Sequence, residues 1–486
     1  MATADAADLA RALERGETTA VALAEALLAR VAAVDADGPK LNAVLALSPT
    51  ALDEAAALDA ERAAGTVRGP LHGVPVLVKD NIEAAGLPGS AGSLALAGRQ
   101  VARDAPLVAR LRSAGLVVLG ATNLSEWANI RSSRSTSGWS AVGGLTCNPW
   151  ALDRNAGGSS SGSGAALAGG LAPLAIGTET DGSITCPSSV NGCVGLKPTV
   201  GLLPTEGVVP ISASQDAPGP MARSVRDAAL LLDALTGEPG HADGCGALGA
   251  ADLRLGIPSA WPSGHDRTDA LFTEVLDGLR AAGADVTEVT VTTREEIGED
   301  ELTVLLCELH DDLDAYLAAR PGDGVSSLAD VVTFNVEHGD AELAHFGQEH
   351  FEAALTNGGR ADEVYADARV RCLAWAVDTC LAPALADPRG PEILVAPAYA
   401  PAWKSDLVNG DRVHAGGRAS SAPSIAGWPV LCLPMGLVDG LPVGLVLIGP
   451  PSAERRLLAV GDAVERHLAL ADDGMLAPAW AGPGRG

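Results

Sequence analysis

Apolar positions along the chain recur with two periods, and their alternation predicts a layered α/β protein. Residues 4–34 place alanine, leucine and valine at the three- and four-residue spacing of amphipathic helices, with Thr18–Thr19 set to cap the second of them. Residues 48–64 repeat that spacing. Val76–Leu77–Val78 is instead a short unbroken apolar run, the mark of a buried strand, and it stops at Lys79. Residues 104–114 predict a helix and 115–120 a strand, together one α/β repeat. The order returns downstream as helix 222–236, strand 253–257, helix 268–282 and strand 286–291. The last three form a βαβ unit, which implies parallel pairing through a right-handed crossover. From 294 to 385 the pattern is mostly helical and acidic, and it reads as a helical insertion over one end of the sheet. Strands resume at 393–397, 430–434 and 443–449, helix 452–469 closes the fold, and the Pro/Gly-rich tail 478–486 reads as loose.

One stretch departs from this rhythm. Residues 157–164 are glycine and serine only, 165–176 are small and apolar, 177–183 form a second polar turn, and the stretch closes at Gly195–Leu196–Lys197–Pro198. Glycine allows tight turns and close backbone approach. A serine hydroxyl held by such turns against a packed apolar run is what acyl transfer requires. A flexible linker has a similar composition, but it would not run straight into the helix-forming Ala165–Ala166–Leu167–Ala168. A phosphate loop lacks its Gly-x4-Gly-Lys-Ser/Thr pattern here. Gly158–Ser159–Ser160–Ser161–Gly162 does match Gly-x-Ser-x-Gly, which would make Ser160 a nucleophile. That elbow needs a strand before it, whereas residues 148–155 read as a loop.

Composition narrows the chemistry. With 61 acidic residues against 33 basic ones the formal net charge is −28, which argues against a nucleic-acid partner because phosphate binding needs a basic face. At 486 residues and 47% hydrophobic, the chain can bury a large core. Only four lysines occur, Lys40, Lys79, Lys197 and Lys404, so a lysine ending a buried strand stands out. Lys79 has the ordinary option of reaching out to solvent. Buried, it would lose affinity for its proton and serve as a base near neutral pH. The eight cysteines form no Cys-x-x-Cys and the nine histidines no His-Glu-x-x-His, so neither a disulfide framework nor a zinc site is indicated. His338, His345 and His350 read as surface or pocket-wall residues, and His72 as structural. The tryptophan-bearing segment from Ser125 through Trp139 to Trp150 either lines a pocket or covers the core. With no apolar run of 18 residues and no basic-then-apolar leader, a cytoplasmic protein without a membrane partner is expected.

Taken together, Gly157–Gly158–Ser159–Ser160, Gly177–Thr178–Glu179–Thr180–Asp181–Gly182–Ser183–Ile184, Gly195–Leu196–Lys197–Pro198–Thr199 and the earlier Gly73–Val74–Pro75–Val76–Leu77–Val78–Lys79–Asp80 resemble the amidase signature family. The likeness runs from the N-terminal helices to the last strands. It implies one amidase domain over 1–486, with 294–385 as a helical cap within it. The implied fold is a mixed, mostly parallel central sheet covered by helices on both faces. The family's Ser–cis-Ser–Lys set maps onto Ser183 as nucleophile, Ser159 as bridge and Lys79 as base, with a cis Gly158–Ser159 peptide. This mapping favours Ser159 over the elbow serine Ser160. The backbone N–H groups of Thr180, Asp181, Gly182 and Ser183 would form the oxyanion hole. Asp181 stands where many members have glycine, which should alter preference more than catalysis. Ser125–Glu126–Trp127–Ala128–Asn129 and Ser135–Thr136–Ser137–Gly138–Trp139–Ser140, with Asp181, resemble the peptide amidases. The implied substrate is therefore a peptide C-terminal carboxamide or a small-molecule amide, with no cofactor or metal. Two further readings stay open, an amidotransferase A-type subunit needing partner chains and a catalytically silent binding protein. Monomer and homodimer are both compatible with the sequence.

Overall fold

The computed structural model describes residues 4–98, 101–293, 297–320, 324–413, 417, 419–470 and 478. Eleven strands form one sheet: β1 (Val44–Leu47), β2 (Pro75–Lys79), β3 (Val117–Thr122), β4 (Leu174–Glu179), β5 (Val194–Lys197), β6 (Ala217–Ala222), β7 (Arg254–Pro258), β8 (Asp285–Val289), β9 (Ile393–Pro397), β10 (Val430–Val438) and β11 (Leu441–Ile448). Their spatial order is β1-β3-β2-β4-β6-β5-β10-β11-β9-β7-β8. The predicted unit of β7, α8 (Asp266–Ala281) and β8 is present, with Arg254 to Pro258 in parallel register with Asp285 to Val289. β2 likewise pairs in parallel with β3 and β4.

The sheet is mixed, as expected, but it is less parallel than expected. Antiparallel registers join β4 to β6, β6 to β5, β5 to β10, β10 to β11 and β11 to β9. The reason is local at β10 and β11. Asp439 (φ 53°) and Gly440 (φ 76°) make a two-residue turn with both central residues left-handed, which returns the chain as a hairpin. The apolar pattern does not predict β6, because Pro218 and Pro220 remove two ladder donors from an interior strand. β5 pairs with it only at Met221 and Ala222, beyond both prolines.

Helices cover both faces. Helix α2 (Ala20–Arg30) starts where Thr19 accepts from the Ala22 N–H at 3.1 Å, the cap that the sequence suggests. The glycine and serine block forms α5 (Ser161–Ala168), buried throughout its first two turns. Its small residues let it press on neighbouring backbone: a Cβ at Gly162 would lie 2.4 Å from the carbonyl oxygens of Ala43 and Asn123. The insertion folds as α9 (Gly298–Ala318), α10 (Leu328–Glu337), α11 (Glu349–Thr356), α12 (Glu363–Leu373) and a π-helical stretch Ala374–Leu381. Leu309, Leu313, Leu317, Leu328 and Phe351 from these helices share an apolar cluster with Ala91, Leu96, Trp127, Ile130 and Ile211. The insertion is thereby seated on the loops at one end of the sheet. Residues 294–296 and 321–323 of the expected insertion, and all of the expected tail but Pro478, lie outside the described residues. Among the described residues no helix is long and apolar enough to cross a membrane.

Candidate active site

β2 and β4 lie side by side and deliver the first two elements of the site. Lys79 ends β2, fully buried, and its Nζ lies 2.7 Å from Ser159 Oγ, 2.8 Å from Thr178 Oγ1 and 3.3 Å from the Thr178 carbonyl. Asn81 Nδ2 donates to the same Thr178 hydroxyl at 3.0 Å. Burial brings the Lys79 ammonium down to about 7, with the carboxylates of Asp216 and Glu179 opposing the shift. Ser159 is fully buried and follows a cis Gly158–Ser159 peptide.

After β4 the chain turns through Thr180, Asp181 and Gly182 to Ser183, then enters the short α6 (Thr185–Asn191). One carboxylate fixes this turn: Glu179 Oε2 accepts the N–H groups of Ile184 at 2.7 Å and Thr185 at 2.8 Å. Gly182 sits at φ 78°, and a Cβ there would lie 2.4 Å from Tyr399 Oη, so the position is held to glycine twice over. Thr180 Oγ1 donates to Asp216 at 2.5 Å, and Ser421 Oγ to Asp181 at 2.8 Å. Among the described residues nothing accepts from the backbone N–H groups of Thr180, Gly182 and Ser183, and all three residues line a cavity. The Lys79–Ser159 contact is formed. A Ser183–Ser159 hydrogen bond is not among those made by the described residues.

Ser160 is placed differently. Its hydroxyl donates to the Thr178 carbonyl at 3.1 Å and accepts the Thr178 N–H at 3.2 Å, fastening α5 to β4 with no exposure. The elbow reading therefore has no geometric support. His72 is also structural, with Nδ1 accepting the Arg68 N–H at 3.2 Å and Nε2 set 3.0 Å from the Leu58 carbonyl.

The cavity has a volume of about 270 Å³. Ser183, Thr180, Asp181, Gly182, Gly158 and Cys186 form one wall. The rest of the lining comes from Ala128, Asn129, Ile130, Ser137, Ile211, Leu305, Tyr399, Trp403, Asp411 and Val413. Two features shape it. Trp127 (φ 49°), Ala128 (φ 52°) and Asn129 (φ 74°) are three successive left-handed residues, each of which costs about 1–3 kcal/mol and persists only if surroundings impose it. Asp411 is a hub: it accepts from Ser137 N–H at 3.1 Å, from the Ser137 hydroxyl and from Trp403 Nε1 at 3.0 Å. Ser137 Oγ in turn accepts from Asn129 Nδ2 at 2.8 Å. Sequence reading does not single out Tyr399, Trp403 or Asp411. They arrive from a loop more than 200 residues beyond Ser183, and nothing local marks them. Trp127 and Trp139 are buried against Phe351 and Phe346, so of the tryptophan-bearing segment only its 128–130 turn and Ser137 reach the cavity. His345 packs on Trp139 and His350 Nδ1 lies 3.1 Å from the Ile130 carbonyl, behind the wall. No group of three or more His, Cys, Asp or Glu side chains among the described residues could hold a metal ion.

Comparison with known proteins gives a consistent result. The amidase family model matches residues 22–458. The crystal structure of the native peptide amidase from Stenotrophomonas maltophilia superposes with a TM-score of 0.90 at 44% identity, covering 96% of this chain and 97% of that one. An amidase family protein from Bacillus anthracis gives a TM-score of 0.83 at 29% identity, covering 96% and 91%. Among sequences, a component chain of the glutamyl-tRNA(Gln) amidotransferase of Salinispora arenicola is 36% identical over 95% of this chain and 96% of its own length.

Proposed function

The chain belongs to the amidase family and is an amide C–N hydrolase, and from that premise we propose that it hydrolyses the C-terminal carboxamides of peptides, releasing ammonia. The likeness to the peptide amidase over nearly the whole of both chains carries this reading. The cavity of about 270 Å³ is below the roughly 300–1,000 Å³ of pockets that engulf a drug-sized ligand, and it has room for the end of a peptide or for a small amide.

In the proposed reaction Ser183 Oγ attacks the carboxamide carbon. Its proton passes to Ser159 Oγ, whose own proton passes to Lys79 Nζ. Lys79 Nζ has contacts to the Thr178 hydroxyl, the Thr178 carbonyl and Ser159 Oγ; as a neutral amine it would keep its two N–H bonds to Thr178 and turn its lone pair to the Ser159 hydroxyl. The developing oxyanion takes the N–H groups of Thr180, Gly182 and Ser183, where the loss of one such donor typically costs about 10²–10³ in rate. Protonation through Ser159 converts the departing NH2 group to ammonia as the C–N bond breaks. An acyl ester is left on Ser183. Water then attacks that ester, giving up its proton along the same path, and the carboxylic acid leaves.

Ammonia release from peptide amides, amino-acid amides, benzamide and glutamine, with Ser183→Ala as control, tests the proposal. Release from peptide amides that the variant loses is the expected result. Release only from small amides transfers the substrate assignment to an aryl or aliphatic amidase. The relation to the amidotransferase component favours one second reading, a chain needing partners, and turnover by the purified chain alone rules it out.

A further inference from the structure

The left-handed turn Trp127–Asn129 forms part of the cavity wall, and its local bonds, Ala128 N–H to the Ser125 carbonyl at 2.9 Å and Ile130 N–H to the Trp127 carbonyl at 3.2 Å, do not reach the insertion. The residue that follows it by two, Arg131, is fully buried, and so are the carboxylates on either side of it. Arg131 Nη1 lies 3.1 Å from Glu126 Oε1, just before the turn, and 3.8 Å from Glu342 Oε2, in the insertion. The same nitrogen donates to the Glu342 carbonyl. The guanidinium carbon sits 4.3 Å from the centre of the Phe346 ring, also in the insertion, a cation–π distance. Glu342 is itself fixed, accepting the Leu94 N–H at 2.6 Å, and Glu126 accepts the Ala141 N–H at 2.8 Å. A single guanidinium nitrogen, Nη1 of Arg131, thus joins the two ends of the strained turn to the insertion.

We propose that Arg131, held between Glu126 and Glu342, is a positioning residue that couples the helical insertion to the cavity wall and so sets which acyl groups the site accepts. The inference rests on the amide-hydrolase reading. It assigns to the insertion a definite means of action: Glu342 and Phe346 fix Arg131, Arg131 fixes the turn, and the turn presents Ala128 and Asn129 to the substrate. Among the described residues no side-chain hydrogen bond joins Lys79 or Ser159 to this linkage, so the chemistry on the smallest substrates should depend on it least. A lysine would keep the charge and one donor nitrogen but not the flat face on Phe346.

The test compares Arg131→Met, Arg131→Lys and Phe346→Leu with the wild-type enzyme on a peptide amide, on propionamide, and for labelling of Ser183 by a small fluorophosphonate. The expected result for Arg131→Met is a KM for the peptide amide raised about tenfold, with kcat, propionamide turnover and labelling rate each within about threefold of wild type. Arg131→Lys and Phe346→Leu should fall between. Equal losses on both substrates, or labelling that falls in step with peptide turnover, would overturn the proposal. If Arg131→Met does not fold, Phe346→Leu carries the same criterion with no charge left unpaired. If the wild-type enzyme turns over only small amides, the peptide reading fails by itself, and the positioning inference is then read from a bulky against a small amide with the same variants.

Discussion

Two strands of the same sheet end in a buried lysine, and the two ends behave differently. Lys79 closes β2 and Lys197 closes β5; both are inaccessible to solvent, and burial lowers both, to about 7 and about 8. Around Lys79 the near neighbours are hydroxyls, Ser159 and Thr178, beside a cavity that holds a third, Ser183. Among the described residues Lys197 Nζ donates to the Pro198 carbonyl at 3.1 Å, and the charges of Glu179, Glu454 and Asp181 oppose the loss of its proton. A carbonyl can accept a hydrogen bond but cannot hand on a proton. The lowered proton affinity that both lysines share therefore does not single out a base. What does is a neighbour able to relay, with substrate space beyond it.

The strongest way to break this contrast is at the hydroxyl that the relay serves. Ser183→Ala should cut amide turnover by a factor on the order of 10⁶, as removal of a nucleophile does elsewhere, with the far-UV spectrum unchanged. Lys79→Ala should cost about 10²–10⁴ in kcat/KM, the usual worth of a positioned base. Normal turnover by that variant would remove the relay from the account. Lys197→Met should reverse the balance. It takes from Glu179, which holds the start of α6, the Lys197 cation that offsets its burial, so a stability loss on the order of 3 kcal/mol is expected in urea unfolding. Turnover per folded molecule, counted by fluorophosphonate labelling, should stay within about tenfold.

The smallest effect concerns pH and stability. Burial raises Asp80, Asp216 and Asp227 to about 6 and Glu465 to about 8. Each keeps its proton to a higher pH folded than unfolded, so between about pH 4 and these values the folded state binds more protons and stability falls as pH rises. The midpoint of thermal unfolding should therefore drop by a few degrees from pH 5 to 8, over the range in which activity climbs. Glu465→Gln should flatten part of that drop.

How much of this is legible in sequence follows the same contrast. Lys79 can be picked out because an apolar run ends on it in a chain with only four lysines. The β7–α8–β8 unit is legible from periodicity, and the Gly/Ser stretch from its resemblance to a family. Lys197 lies within the same motif, and its different role depends on partners from Glu179 and Glu454 that no local pattern reveals. β4 and β6 are harder to read, since Gly177, Thr178 and Glu179 interrupt one apolar run and two prolines the other, while burial on both faces erases alternation. The rest of the cavity lining is an outcome of packing: Tyr399, Trp403 and Asp411 come from a polar loop whose sequence looks like any other.

The central claim is that Lys79 acts as a neutral amine. Nuclear magnetic resonance of side-chain-labelled lysine offers four signals to assign, and Lys79→Met identifies one of them. The account predicts that this signal titrates with a midpoint near 7, and that kcat/KM on a peptide amide rises from pH 5 to 9 with the same midpoint. A Lys79 signal that titrates near the ordinary lysine value of about 10.4, or a flat kcat/KM over that range, would contradict it.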